Sequence, residues 1–116
     1  MTDNKKTGAA GEDLAARYLM KNGYEILERN VHFSKLSEID IIAKIKDTVV
    51  FVEVKTRKND SFGKPFEAIT RTKYENIKKG IAIYSQTHKI KKIRIDVIGI
   101  TLKPELKIEH LKNIYI

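Results

Sequence analysis

Asp40, Glu53 and Lys55 are the residues whose types and spacing could do chemistry. They sit in a stretch from Glu38 to Lys55 that reads as two apolar, strand-like runs broken by the polar pair Lys46-Asp47. Folded back about that break as an antiparallel hairpin with a two- or four-residue loop, the stretch pairs residues whose numbers sum to 93. Asp40 then faces Glu53, Glu38 faces Lys55 and Ile42 faces Phe51. On the other face Ile39 meets Val54, Ile41 meets Val52 and Ala43 meets Val50. Directly opposed side chains have Cβ atoms roughly 4.5–5.5 Å apart, and like charges there are destabilising. A divalent cation would relieve the clash of Asp40 with Glu53, since Mg²⁺ is held through one or two carboxylates with waters and phosphate oxygens completing its shell. Lys55 shares the face of Glu53 because strand side chains alternate with period two. Two carboxylates with a lysine beside them suit phosphodiester hydrolysis. The plainer account has Glu53 and Lys55 facing water, exposed charge being the default. The register coincidence with Asp40 weighs against it.

The elements that must position these residues follow from patterning. Residues 1–6 read as a frayed polar start, and Thr7 to Asn22 as a helix capped by Thr7 and stopped by Gly23 at C′. At about 100° per residue, Ala10, Leu14, Ala15, Tyr18 and Leu19 form its apolar stripe. Glu12 lies on the stripe's edge, either at the rim where helix meets sheet or as a first-turn acid complementing the helix dipole. Tyr24 to Phe33 is a first strand, with Tyr24, Ile26, Glu28 and Asn30 on one face and Leu27, Arg29 and Val31 on the other. Ser34 to Ser37 is a turn.

After the hairpin, Thr56 to Lys64 is a polar, basic loop suited to phosphate contacts, or an ordinary solvated loop. Pro65 opens a short helix over Phe66–Ile69. A longer helix spans Thr72 to about Thr87. Tyr74, Ile77, Ile81 and Tyr84 form its seam, widened by Ala82, and Arg71, Lys73, Lys78 and Lys79 make the remainder basic. Ile93 to Ile100 is a strand with Ile93, Ile95, Val97 and Gly99 on one side and Arg94, Asp96 and Ile98 on the other. Leu106 to Ile116 is a last strand after a turn marked by Pro104.

At 116 residues the chain is expected to form one domain, 1–116, around one core. Zero cysteines exclude disulfides and Cys-ligated zinc. No apolar run approaches a membrane span and the N-terminus lacks a signal-peptide core, so a cytoplasmic protein without membrane contact is expected. The net charge of +8 favours a polyanionic partner, above all nucleic acid. His32, His88 and His110 show no metal spacing, and no glycine-rich phosphate loop or nucleophile elbow is present.

Gly11-Glu12, Glu38-Ile39-Asp40, Val52-Glu53-Val54-Lys55-Thr56-Arg57 and Arg94-Ile95-Asp96-Val97 occur in an order that resembles the YraN family, also called UPF0102, over nearly the whole chain. That family is similar to the PD-(D/E)xK nucleases, and among them to the archaeal Holliday junction resolvases. The resemblance implies an α/β fold of restriction-endonuclease-like type, a central mixed sheet flanked by helices in α-β-β-β-α-β order. It carries the catalytic and metal-binding Asp onto Asp40, the Glu onto Glu53 and the catalytic Lys onto Lys55. The backbone carbonyl of Val54 joins the metal ligands, with Glu12 as a further candidate. Glu38 and Arg57 match family positions without an assigned role. One departure is Ser37, where the family usually has Gly, which bears on the turn before Glu38.

The implied activity is a Mg²⁺- or Mn²⁺-dependent endonuclease acting on DNA, branched DNA included. Arg57, Lys58, Lys64, Arg71 and Lys73 would contact phosphates, and a homodimer is plausible by analogy. Two rivals stand beside it. A non-catalytic nucleic-acid-binding module of the same fold predicts salt-sensitive binding without cleavage. An interaction protein with a structural acidic cluster predicts neither binding nor a response to divalent metal.

Overall fold

The computed structural model describes residues 2–59 and 69–114, with side chains from Thr7 onward. The expected short helix after Pro65, Lys64 and the chain's last two residues lie outside that range. The elements run α1 (Thr2–Lys21), β1 (Glu25–His32), β2 (Glu38–Ile45), β3 (Thr48–Asn59), α2 (Arg71–Thr87), β4 (Lys92–Lys103) and β5 (Lys107–Leu111). The α-β-β-β-α-β order is therefore present, with β5 added, and no described helix is long and apolar enough to cross a membrane.

The five strands form one mixed sheet in the order β1-β2-β3-β4-β5. β3 and β4 pair in parallel, because the connection through α2 returns the chain to the same end of the sheet; the other neighbours are antiparallel. The central hairpin has the expected register, with Ile41, Ile42, Ala43, Lys44 and Ile45 opposite Val52, Phe51, Val50, Val49 and Thr48. Its two-residue turn is Lys46-Asp47, with Lys46 in the left-handed region at φ 54°.

Both faces of the sheet are covered. α1 packs on Ile41, Ala43, Val50, Val52, Ile98 and Ile100, whereas α2 packs on Ile39, Ile42, Val49, Phe51 and Ile95. The expectation of one apolar face carrying Ile39, Ile41, Val50, Val52 and Val54 is corrected at Ile39. Ile41 lies towards α1 and Ile39 towards α2, so strict alternation fails around Asp40. Doubly covered central strands need apolar residues at both parities, which is how residues 49–52 read.

α1 starts at Thr2, so Thr7 is an interior residue rather than a cap, and Glu12 is in mid-helix, not in the first turn. No proline precedes Thr7 to stop the helix extending. Its end is as expected. Gly23 has φ 88°, its N–H donates to the Met20 carbonyl at 3.1 Å, and the Tyr24 N–H donates to the Leu19 carbonyl at 3.0 Å. That is the two-bond helix stop for which glycine has the backbone freedom. The buried stripe is Gly11, Ala15, Ala16 and Leu19, and the expected Ala10 is exposed. Gly11 decides the rotation. A Cβ there would stand 1.8 Å from Thr56 Oγ1, so the helix backbone lies directly on β3.

Two more faces needed tertiary information. The β1–β2 register shifts between Ile26 and Glu28, a bulge that separates Leu27, towards α2, from Arg29, towards α1, and the left-handed Asn30 (φ 53°) then returns Val31 to the α2 side. The expected common face of Leu27, Arg29 and Val31 is therefore not formed. In α2 the residue completing the buried seam of Tyr74, Ile77, Ile81 and Tyr84 is Gly80, while Ala82 is exposed. The α2 N-cap is Thr70, whose hydroxyl accepts from the Lys73 N–H at 3.0 Å. β5 is shorter than the expected last strand, and Thr56–Asn59 extend β3 along β4 instead of forming a loop.

Candidate functional site

The site is built where the sheet divides. The β2–β3 ladder ends at Ile41–Val52. Beyond it, β2 stays with β1 through Ile39–Val31 and Glu38–His32, while β3 stays with β4 as far as Asn59–Lys103. The diverging ends enclose a cleft of about 650 Å³, closed on one side by α1. Its lining includes Thr7, Gly8 and Glu12 of α1, Asn30 of β1, Glu38 and Asp40 of β2, and Val54 to Asn59 of β3.

Asp40 bridges the fork. Its Oδ2 accepts the Val54 backbone N–H at 2.8 Å, so a side chain takes the bond a regular ladder would have given to a carbonyl of β2. In an extended strand the N–H and C=O of one residue point to the same side. The Val54 carbonyl therefore points into the fork beside Asp40. The expected facing of Glu38 with Lys55 does not form. Glu38 pairs with His32 in β1, its Oε1 3.8 Å from His32 Nε2, and Lys55 is exposed at the cleft.

Asp40 and Glu53 interact as expected although their strands have parted. Burial pushes the Glu53 carboxyl up to about 8, the negative charge of Asp40 and a hydrogen bond with it add to the rise, and Lys73 and Lys55 oppose it. Burial also raises Asp40, against the lowering effect of the Val54 N–H; Glu12 and Glu38 raise it and Lys73 lowers it. The two carboxyls thus resist carrying two negative charges together. Glu53 is 13% exposed in its side chain, and its buried Oε1 has no hydrogen-bond partner. Among the described residues the cation against that oxygen is Lys73 Nζ, at 3.7 Å.

Lys73 was expected on a phosphate; here it lies against the acid pair. It follows the Thr70 cap by three residues, which puts it in the first turn of α2, over Glu53. Arg57 lines the cleft and donates from Nε to Thr101 Oγ1 at 3.4 Å, and Lys58 is exposed in the same lining. Arg71 is exposed at the start of α2, outside the cleft.

Glu12 reaches the cleft, as its rim position implied. Its Oε1 accepts from Arg29 Nε at 3.1 Å and from Asn30 Nδ2 at 2.9 Å, while Arg29 Nη2 also binds Asp13 Oδ1 at 2.7 Å. The bulge turns Arg29 towards α1, and Asn30, at φ 53°, follows it. Asn30 was not singled out from sequence. The available signal was its residue type, since asparagine enters the left-handed region more readily than most.

Asp96 belongs to a different structure. It is wholly buried and accepts from Arg94 Nε and Nη2, both at 2.9 Å, from His110 Nε2 at 2.6 Å and from the Asn113 N–H at 2.9 Å. Burial raises its carboxyl, but the bonds from His110, Arg94 and Asn113 outweigh that and hold it below the ordinary value. These bonds fasten β5 and the C-terminal segment to the sheet.

Among the described residues no three His, Cys, Asp or Glu side chains converge as a ready-made metal cage. What converges is two carboxylates and an inward-pointing carbonyl, a donor set of the hard oxygen type that Mg²⁺ takes when waters and phosphate supply the remainder.

A family model described as "Uncharacterised protein family UPF0102" matches residues 11–100. A UPF0102 protein of Dictyoglomus thermophilum is 46% identical over 97% of this chain and 99% of its own length. One of Syntrophomonas wolfei is 43% identical over 97% and 99%, and one of Syntrophus aciditrophicus is 44% identical over 99% and 92%.

Proposed function

The chain belongs to the uncharacterised protein family UPF0102, and for this member we propose a divalent-metal-dependent endonuclease that hydrolyses phosphodiester bonds in DNA. One observation carries the reading. Asp40, which lines the open cleft, and Glu53, beside it at the cleft's edge, are held together and largely buried, with Glu53 pushed up to about 8 and its Oε1 unpartnered by any hydrogen bond. Carboxyls perturbed by burial and by each other, at a cleft, make a functional-site candidate with a stated physical cause. The similarity of the Asp40, Glu53 and Lys55 pattern to PD-(D/E)xK nucleases and the charge of +8 support the same reading.

Asp40, Glu53 and the carbonyl of Val54 would hold Mg²⁺ or Mn²⁺. The cation would supply a Lewis acid that activates water and stabilises charge on the phosphate. The protein's own groups do the remainder. Asp40 fixes the end of β2 to Val54, so the two acids cannot drift apart. Lys55, exposed at the cleft and two residues after Glu53, places an ammonium donor beside the scissile phosphate. Arg57 and Lys58 line the cleft's length and bind flanking phosphates.

The test is cleavage of linear, single-stranded, flapped and four-way DNA with Mg²⁺ or Mn²⁺, beside Asp40→Asn, Glu53→Ala and Lys55→Ala prepared identically. Cleavage by the wild type that the variants lose supports the reading; equal cleavage by all four sinks it. A second reading, a binding module without catalysis, draws on the Lys73–Glu53 contact, which already places a cation on the acid pair. It expects salt-sensitive DNA binding and no product.

A further inference from the structure

Leu36 is the most exposed large apolar residue among those described, at 71%, and it stands two residues before Glu38 of the cleft lining. A single exposed leucine is ordinary. What is not ordinary is the effort spent on holding its turn still. Ser34 Oγ accepts from the Leu36 and Ser37 N–H groups at 3.4 and 3.2 Å. The Phe33 N–H donates to the Ser37 carbonyl at 2.8 Å. Ser37, 1% exposed, donates from Oγ to the Asn76 carbonyl of α2 at 2.6 Å. Gly80 lets the turn lie on α2, since a Cβ there would stand 2.6 Å from Ser37 Oγ and 2.8 Å from Phe33. Phe33 then packs edge-on to Tyr84. Ser37 sits in this turn without backbone strain, because its φ is not left-handed and its hydroxyl is used.

Asn76 lies three residues after Lys73 on α2, so the clamp is fixed about 4.5 Å along the helix from the cation over Glu53. From Asp40 to Leu36 is four residues, at most about 13 Å of extended chain, or about four base-pair steps. The turn therefore carries a rigid apolar tip, beside Lys35, within reach of DNA whose phosphate lies at the acid pair.

We propose that Leu36 is a wedge that enters an opened base stack, which directs this site to duplex DNA with an interrupted stack: a nick, a flap or a junction arm. The inference rests on the cleft being a DNA site. Apolar side chains of this kind, leucine among them, enter base steps in other DNA-binding proteins, and an intact step must first be unstacked where a nicked one is already open, a difference large enough for a preference on the order of tenfold.

The test compares wild type, Leu36→Ser and Leu36→Phe on an intact duplex and on the same sequence with a nick flanked by 2-aminopurine, in Ca²⁺ to hold off hydrolysis. The wild type and Leu36→Phe should bind the nicked duplex about tenfold more tightly and brighten the 2-aminopurine; Leu36→Ser should lose both effects while melting at the wild-type temperature. If Leu36→Ser and wild type match in binding and brightness, as they would if Leu36 met a protein partner, or if neither binds, the wedge is overturned. Cleavage in Mg²⁺ is scored separately. A bright, nick-selective complex that never cleaves keeps the wedge and removes the nuclease.

Discussion

The Val54 backbone N–H donates to Asp40 Oδ2 at 2.8 Å, across a gap where β2 and β3 no longer pair. One carboxylate oxygen therefore holds the fork together while the rest of the site gathers about it. Removing the other acid, Glu53, has opposite consequences for stability and for chemistry.

Glu53→Gln should stabilise the metal-free protein at alkaline pH and abolish cleavage. Above about 8 the wild type carries two buried negative charges, and the amide removes one. Each 1 kcal/mol gained would raise Tm by roughly 4 °C at this size. Thermal melts at pH 5 and pH 9 check it: the gain should appear at pH 9 and shrink at pH 5, where the wild-type carboxyl is protonated.

The metal-free wild type should itself lose stability with rising pH. The sign follows from a folded-state value raised from 4.5 to about 8: the folded protein holds a proton that the unfolded chain has released. The contribution is complete below about 4.5 and disappears as pH passes about 8. Mg²⁺ or Mn²⁺ should flatten this slope. Calorimetry at pH 7 in buffers of different ionisation heat should find about one proton released per metal bound.

Gly11→Ala should cost roughly 1–3 kcal/mol, because its Cβ would meet Thr56 at 1.8 Å and α1 must lift from β3. Thr56→Gly in the same chain should recover part of the loss. Thr56→Ala should recover less, since the Thr56 Cβ alone would lie 2.7 Å away. Chemical denaturation of the single and double variants measures the coupling.

Asp96→Ala should cost about 3–5 kcal/mol, the usual consequence of breaking a buried ion pair from one side. It should leave the metal affinity of a still-folded sample near wild type. Because the folded carboxyl is held below 3.8, its contribution is present above that value and disappears only as pH falls further. Acid denaturation of wild type and variant should converge at low pH.

DNA binding should weaken with salt, and Arg57→Ala and Lys58→Ala should each reduce the slope of log affinity against log salt by about one. Arg71→Ala, outside the cleft, should change the slope less. Lys73→Met should instead strengthen metal binding, since its ammonium competes with the metal for Glu53.

Local rules were enough for much of this protein. The period-two runs on either side of Lys46-Asp47 determined the hairpin, its register and the meeting of Asp40 with Glu53, because a side-chain period of two leaves few alternatives once the turn is placed. Gly23 determined where α1 stops, and the α2 seam was legible in the spacing of Tyr74, Ile77, Ile81 and Tyr84. Tertiary structure decided the rest, for reasons that no local rule holds. Two helices on opposite faces of the sheet separated Ile39 from Ile41. A bulge in β1 turned Arg29 to α1 and brought Asn30 to Glu12. The seat of Gly11 on Thr56 rotated α1, and the docking of α2 moved Lys73 from an expected phosphate contact onto Glu53. Each depends on which surfaces meet, and residues far apart in the chain settle that together: strand pairing determines who can be opposite whom, but only packing decides which way an edge residue turns and what charge it finds there.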